Sequence, residues 1–140
     1  MQNPGSVRWG WLKAMYLYTL VGAGGFGLEF ILFPGLLQSS LHMPPQDPFV
    51  FGVYGCVLLA SGLLSIPALR HPLKFIPLLL FQLVYKPVWI VAVVVPSLVK
   101  GQFPFYVAFI SGVFLTYIIG DLIAVPFSRF FGDKEDAATK

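Results

Sequence analysis

Charge is what this sequence has least of. Asp, Glu, Lys and Arg make up 11% of its 140 residues, where a soluble domain carries roughly 25%. Hydrophobic residues make up 57%, and the mean hydropathy is +0.81. Such a chain cannot cover itself with a polar surface, so a water-soluble enzyme or carrier is excluded. Cysteine is nearly absent too. Cys56 stands alone, which excludes an intramolecular disulfide and a cysteine-based metal site. The two histidines, His42 and His71, fall in separate loops on opposite faces of the expected structure and cannot share a metal. No metal and no cofactor are expected. The net charge is +3, yet no basic cluster is interleaved with exposed aromatics, so no nucleic-acid partner is expected. Ser61 and Ser65 have no base beside them, and hydroxyls in apolar helices usually bond to backbone carbonyls.

What is present is a set of long apolar runs. A helix needs about 20 mostly apolar residues to cross a bilayer core. Four such spans are expected, about 11–33, 49–69, 75–98 and 104–127. The first is too long for a signal-peptide core and is read as a retained helix. Pro34-Gly35, Arg70-His71-Pro72 and Lys100-Gly101-Gln102 break the pattern between them. Leu36–Pro48, with Pro44, Pro45 and Pro48, reads as an external loop. The fold class is all-α, an integral membrane four-helix bundle. Residues 1–132 form one transmembrane domain and 133–140 a flexible cytoplasmic tail.

Orientation follows from the basic residues. Of the nine Lys and Arg, all but Lys86 and Lys100 fall at the N-terminus, in the second turn or in the tail. With four spans these regions share one side, so both termini are expected in the cytoplasm. Trp9, Trp11, Tyr16 and Tyr18 would form the inner aromatic belt, and Phe103, Phe105 and Tyr106 the outer one.

Lys86 is the one charge in the third span. A cation near the bilayer midplane costs at least ~3 kcal/mol unless paired or wetted, so a partner is expected. Counting ~1.5 Å per residue from the inner ends puts Lys86 about 17 Å up, Asp121 about 9 Å and Glu29 about 24–27 Å. Asp121 is the favoured partner, because its short side chain cannot reach water from that depth; Glu29 is the second candidate. Gln82 and Trp89 lie one turn either side of Lys86 on roughly the same face. Pro87 deprives the Leu83 carbonyl of its helical partner and predicts a kink. Tyr117 lies one turn from Asp121, and Tyr54, on the second span, is placed to reach the mid-membrane region. The candidate site is therefore Lys86, Asp121, Glu29, Gln82, Trp89, Tyr117 and Tyr54. A structural ion pair is an equal rival to a ligand site.

Two stripes of small residues, Gly52, Cys56 and Ala60, and Ala108, Gly112, Thr116, Gly120 and Ala124, recur every four residues. They predict close helix packing within the bundle or, as the lesser alternative, a homodimer seam. Gly22–Gly27 matches G-x-G-x-x-G, but no strand precedes it and it lies inside a span. Helix flexibility or close packing is expected there instead of nucleotide binding.

The segments Tyr54–Ser65, Gln82–Trp89 and Asp121–Phe127 resemble those of small bacterial membrane proteins, and the general build is similar to the DoxX-like group of four-helix proteins. That resemblance implies a bacterial inner-membrane location and an accessory role of the kind some members play in quinone-linked or redox-stress systems. It carries over no catalytic residue. The expected function is non-catalytic: binding of a lipid or quinone-like molecule, or service as an accessory subunit. The expected partners are membrane lipid, such a ligand, and a larger membrane complex or homo-oligomer. A proton-coupled transporter acting as an oligomer and a lipid- or isoprenoid-modifying enzyme are the alternatives.

Overall fold

A computed structural model describes residues 6–132; the expected tail 133–140 lies outside the described residues. Those described form helices joined by short turns, with no strand among them. Helix α1 spans Trp9–Leu32. It stops at Phe33, whose backbone leaves the helical region ahead of Pro34, as a residue before proline tends to do. Pro34 then opens a short helix, α2, Pro34–Ser40. The stretch from Leu36 is thus partly helical, where a loop was expected. Proline is well suited to a first helical position, since its missing N–H has no partner there anyway.

Helix α3, Pro48–Arg70, starts with a side-chain cap. The Asp47 carboxylate accepts hydrogen bonds from the N–H groups of Phe49 and Val50, at 3.0 and 2.9 Å. After the 3-10 turn Pro72–Phe75 the chain continues through α4, Ile76–Trp89, a π-helical turn, Ile90–Val94, and α5, Val95–Val99. Pro87 sits inside α4 without ending it, and the widened turn follows three residues later. Gly101, at φ +71°, makes the left-handed turn that a side chain would resist. Helix α6, Phe105–Ala124, ends at extended Val125 before Pro126, and α7, Phe127–Gly132, follows. The fourth apolar helix therefore stops short of the expected residue 127.

Four helices are long and apolar enough to cross a membrane: Trp9–Leu32, Pro48–Arg70, Pro72–Val99 and Phe105–Ala124. Their outward faces carry Leu17, Val21, Val53, Leu63, Val84, Val91, Leu115 and Ile119, all exposed. Apolar exposure on that scale belongs against lipid. The chain is a multi-pass membrane protein by this measure.

Helix α1 is the hub, packing along α3 on one side and α6 on the other, while α6 also packs on α4. The α1–α3 seam is made by glycines. Gly24 and Gly62 oppose each other, and Gly27 lies against Gly55 and Leu59, so close that a Cβ on Gly62 would stand 2.5 Å from the Gly24 Cα. Apolar helices in lipid gain most from such close approach. The glycine-rich motif of α1 is thus a packing surface. The facing residues on α3 are Gly55 and Gly62; Cys56 and Ala60 of the expected stripe are exposed. On α6, Gly120 admits Met15 and Ala124 is buried, but Gly112 faces open space.

Two contacts fix one end of the molecule. The buried Tyr16 hydroxyl donates to the Pro72 carbonyl at 2.7 Å, and Met15 fills the space left by Gly120. Tyr16 is consequently a core residue, not part of an interfacial belt. Its hydroxyl has a protein acceptor and needs no water. Trp9 and Trp11 are half exposed. At the other end Phe30 packs on Phe51, and His42 meets the Phe105 ring edge-on.

Candidate functional site

Three polar side chains lie fully buried at mid-height: Gln82 and Lys86 on α4 and Thr19 on α1, with exposures of 1%, 2% and 0%. They form a single chain of hydrogen bonds. The Lys86 ammonium donates to the Gln82 carbonyl oxygen; the Gln82 amide donates to Thr19 Oγ1 at 3.2 Å; and the Thr19 hydroxyl donates to the Met15 carbonyl at 2.8 Å. Gln82 can serve Lys86 because residues four apart stack on one helix face. Both ends of its amide are used, the oxygen accepting and the nitrogen donating, so the glutamine is fixed in place.

The rest of the ammonium's surroundings is aromatic. Nζ lies 3.7 Å from the centre of the Tyr117 ring, 5.2 Å from that of Tyr85 and 5.7 Å from that of Phe114. A desolvated cation over an aromatic face gains about 2 kcal/mol, which offsets much of the ~3 kcal/mol that a charge costs at this depth. Tyr117 is itself held. Its ring stacks on Tyr18 at 4.2 Å, and its hydroxyl donates to the Tyr18 carbonyl at 3.1 Å. Gly22 makes room for that hydroxyl; a Cβ there would strike it. The aromatic cage is the feature the sequence reading missed. Tyr85 adjoins Lys86 in sequence, and Phe114 lies one turn from Tyr117, but no spacing rule joins α4 to α6.

Asp121 is buried, as expected, but does not bond to Lys86. It is 0% exposed, and neither carboxylate oxygen has a hydrogen-bond partner. No direct ion pair with Lys86 is formed, although the two charges act on each other through the low-dielectric interior. Asp121 follows Gly120, which packs on Met15, while Lys86 turns toward Gln82 and the Tyr117 ring. Glu29 is exposed on the far part of α1, apart from Lys86. Trp89 backs the cage, its ring 5.2 Å from Phe114.

Above the polar layer lies a cavity of about 120 Å³. Tyr54, Lys86 and Tyr117 line it among the expected residues, and Tyr18, Phe26, Phe30, Tyr85, Phe109 and Phe114 add further aromatic walls. Among the described residues Lys86 is the single charged one on that lining. Chemically the arrangement is an apolar, ring-lined pocket with one ammonium at its polar end. It offers N–H donors to an acceptor atom and flat surfaces to a ring. Among the described residues no group of three His, Cys, Asp or Glu could hold a metal ion. The chain is thus a multi-pass helical protein with a buried cationic pocket. No family model, curated protein or solved structure matches it.

Proposed function

We propose that this protein binds a lipid-soluble molecule bearing a small, flat, hydrogen-bond-accepting head, of the quinone type, and that it does so without catalysing a reaction. The observation that carries the reading is the aromatic cavity of about 120 Å³ with Lys86 as its only charge among the described residues. An apolar cavity of ~150 Å³ holds a benzene ring, so the size is on the order of one six-membered ring. Ammonium hydrogen bonds to an acceptor contribute about 1.5–3 kcal/mol, and ring stacking on Tyr and Phe adds to that. Gln82, Thr19 and Tyr117 pre-set the ammonium, which lowers the ordering cost of binding.

The setting proposed for this activity is a four-helix bundle in a bacterial inner membrane, with both termini cytoplasmic. Arg8, Lys13, Arg70, Lys74 and Arg129 at one end, against Lys100 at the other, support that orientation. An accessory role beside a larger membrane complex, as the DoxX-like resemblance implies, fits such a binder.

The test is titration of a fully substituted benzoquinone carrying a decyl chain against protein in nanodiscs, for wild type and Lys86→Leu. The expected result is saturable binding that falls by about 10- to 150-fold in the variant, the equivalent of a lost charge-assisted bond. Equal affinity in the two proteins, with Lys86→Leu still folded, overturns the reading.

A further inference from the structure

The cavity is too small for a lipid, so a lipid ligand must leave its chain outside. The packing of the helices indicates where. Each seam around the cavity is closed but one. The α1–α3 seam is shut by the glycine contacts and by Phe30 against Phe51 and Tyr54. The α1–α6 seam is shut by the Tyr18–Tyr117 stack and the edge contact of Phe26 with Phe109. The α4–α6 seam is shut by Phe114 against Tyr85 and Trp89. The floor is the hydrogen-bonded layer of Lys86, Gln82 and Thr19. At the other end Leu41, buried among Phe30, Phe51 and Leu58, forms the roof.

Helices α3 and α4 differ. They share a core only near the Pro72 turn, where Ala68 packs with Ile76 and Leu79. Higher up, no hydrogen bond or ring contact joins them among the described residues, and their backbones are not closely packed. Both nonetheless line the cavity, α3 through Tyr54 and Leu58, α4 through Tyr85 and Lys86. Tyr54 and Tyr85 are half-buried, unlike Phe114 behind them. Pro87, inside α4, and the π turn after α4 follow Lys86 along the chain.

We propose that the ligand is a chain-bearing lipid that reaches Lys86 sideways from the bilayer, between α3 and α4 at the level of Tyr54 and Tyr85, and that its chain lies along that seam while its head fills the cavity. The proposal rests on the head-group reading above. The geometry also sets the class of ligand: a ring with an apolar chain is accepted at full strength, whereas a ring alone forgoes the contacts along the seam.

The test uses wild-type protein in nanodiscs and a fully substituted benzoquinone whose decyl chain ends in a diazirine. After photolysis, adducts are mapped by peptide mass spectrometry, with and without an excess of the same quinone lacking the diazirine. The expected result is adducts on α3 and α4 beside the seam, most of whose yield is lost on competition. Competed adducts on α1, on α6 or on the α2 segment overturn the lateral route while leaving the binding site standing. Labelling that competition nowhere reduces overturns the head-group reading itself.

Discussion

The Lys86 ammonium sits 3.7 Å from the centre of the Tyr117 ring, while neither carboxylate oxygen of the buried Asp121 has a hydrogen-bond partner. An aromatic face and one amide oxygen therefore do what an acidic residue was expected to do. The ring supplies negative charge density at no ionic desolvation cost of its own, in addition to the buried Asp121 that acts on Lys86 without bonding to it.

Tyr117 can be tested by separating its ring from its hydroxyl. Tyr117→Phe keeps the cation–ring contact and loses only the bond to the Tyr18 carbonyl, worth about 0.5–1.5 kcal/mol. Tyr117→Leu loses the ring as well, adding about 2 kcal/mol. Unfolding in a denaturing detergent should rank wild type above Phe and Phe above Leu. Equal values for the two variants would remove the ring from the account of Lys86.

Lys86 and Asp121 form a charge pair without contact, and a double-mutant cycle measures it. Asp121→Leu alone leaves Lys86 as an uncompensated interior charge, and Lys86→Leu alone does the same to Asp121. The double variant removes both charges and should lose less stability than the two single losses added together, with a coupling of about 0.5–3 kcal/mol. Strict additivity would mean that the two groups do not sense each other.

The glycine seam gives a contrast within one residue type. Gly62→Leu must push α1 away from α3, since its Cβ would meet the Gly24 backbone. Overpacking of this kind costs about 1–3 kcal/mol. Gly52→Ala and Gly112→Ala face open space, and should leave stability unchanged or raise it by up to about 1 kcal/mol, since alanine is the better helix former. Thermal unfolding in detergent reads all three. A loss at Gly112 as large as that at Gly62 would point to a seam between copies of the chain on the outer face of α6.

At the start of α3, Asp47→Ala removes two accepted N–H bonds. The expected cost is about 0.5–2 kcal/mol. Asp47→Asn should recover most of it, because an amide oxygen accepts the same bonds. Hydrogen exchange at Phe49 and Val50 should rise in the alanine variant and stay near wild type in the asparagine one.

How far the site was legible depends on which helix each residue shares. Gln82 with Lys86 was readable, because a four-residue spacing on one helix is a contact by geometry alone. The same holds for the back-bonding of Ser61 to Val57 and of Ser65 to Ser61. The cage was not readable, because Tyr117 and Phe114 reach Lys86 across helices, and helix rotation is not encoded in hydropathy when a helix is apolar nearly all round. The stripe on α3 shows the same failure. Gly52, Cys56 and Ala60 have the right spacing, yet the rotation of α3 turns Gly55 and Gly62 to α1 instead.

By itself the sequence determined the number of apolar helices long enough to span, since the bilayer core has a fixed thickness and every backbone group within it must be satisfied inside its own helix. It also determined where the helices break, because proline and glycine act on their own backbone. Only the tertiary structure decided which buried charge meets which group. Lys86 has a ring, an amide and a cavity, while Asp121 is sealed below with neither oxygen bonded. That choice turns on rotations and heights of helices packed through glycine, where a shift of one residue exchanges an inward face for a lipid-facing one.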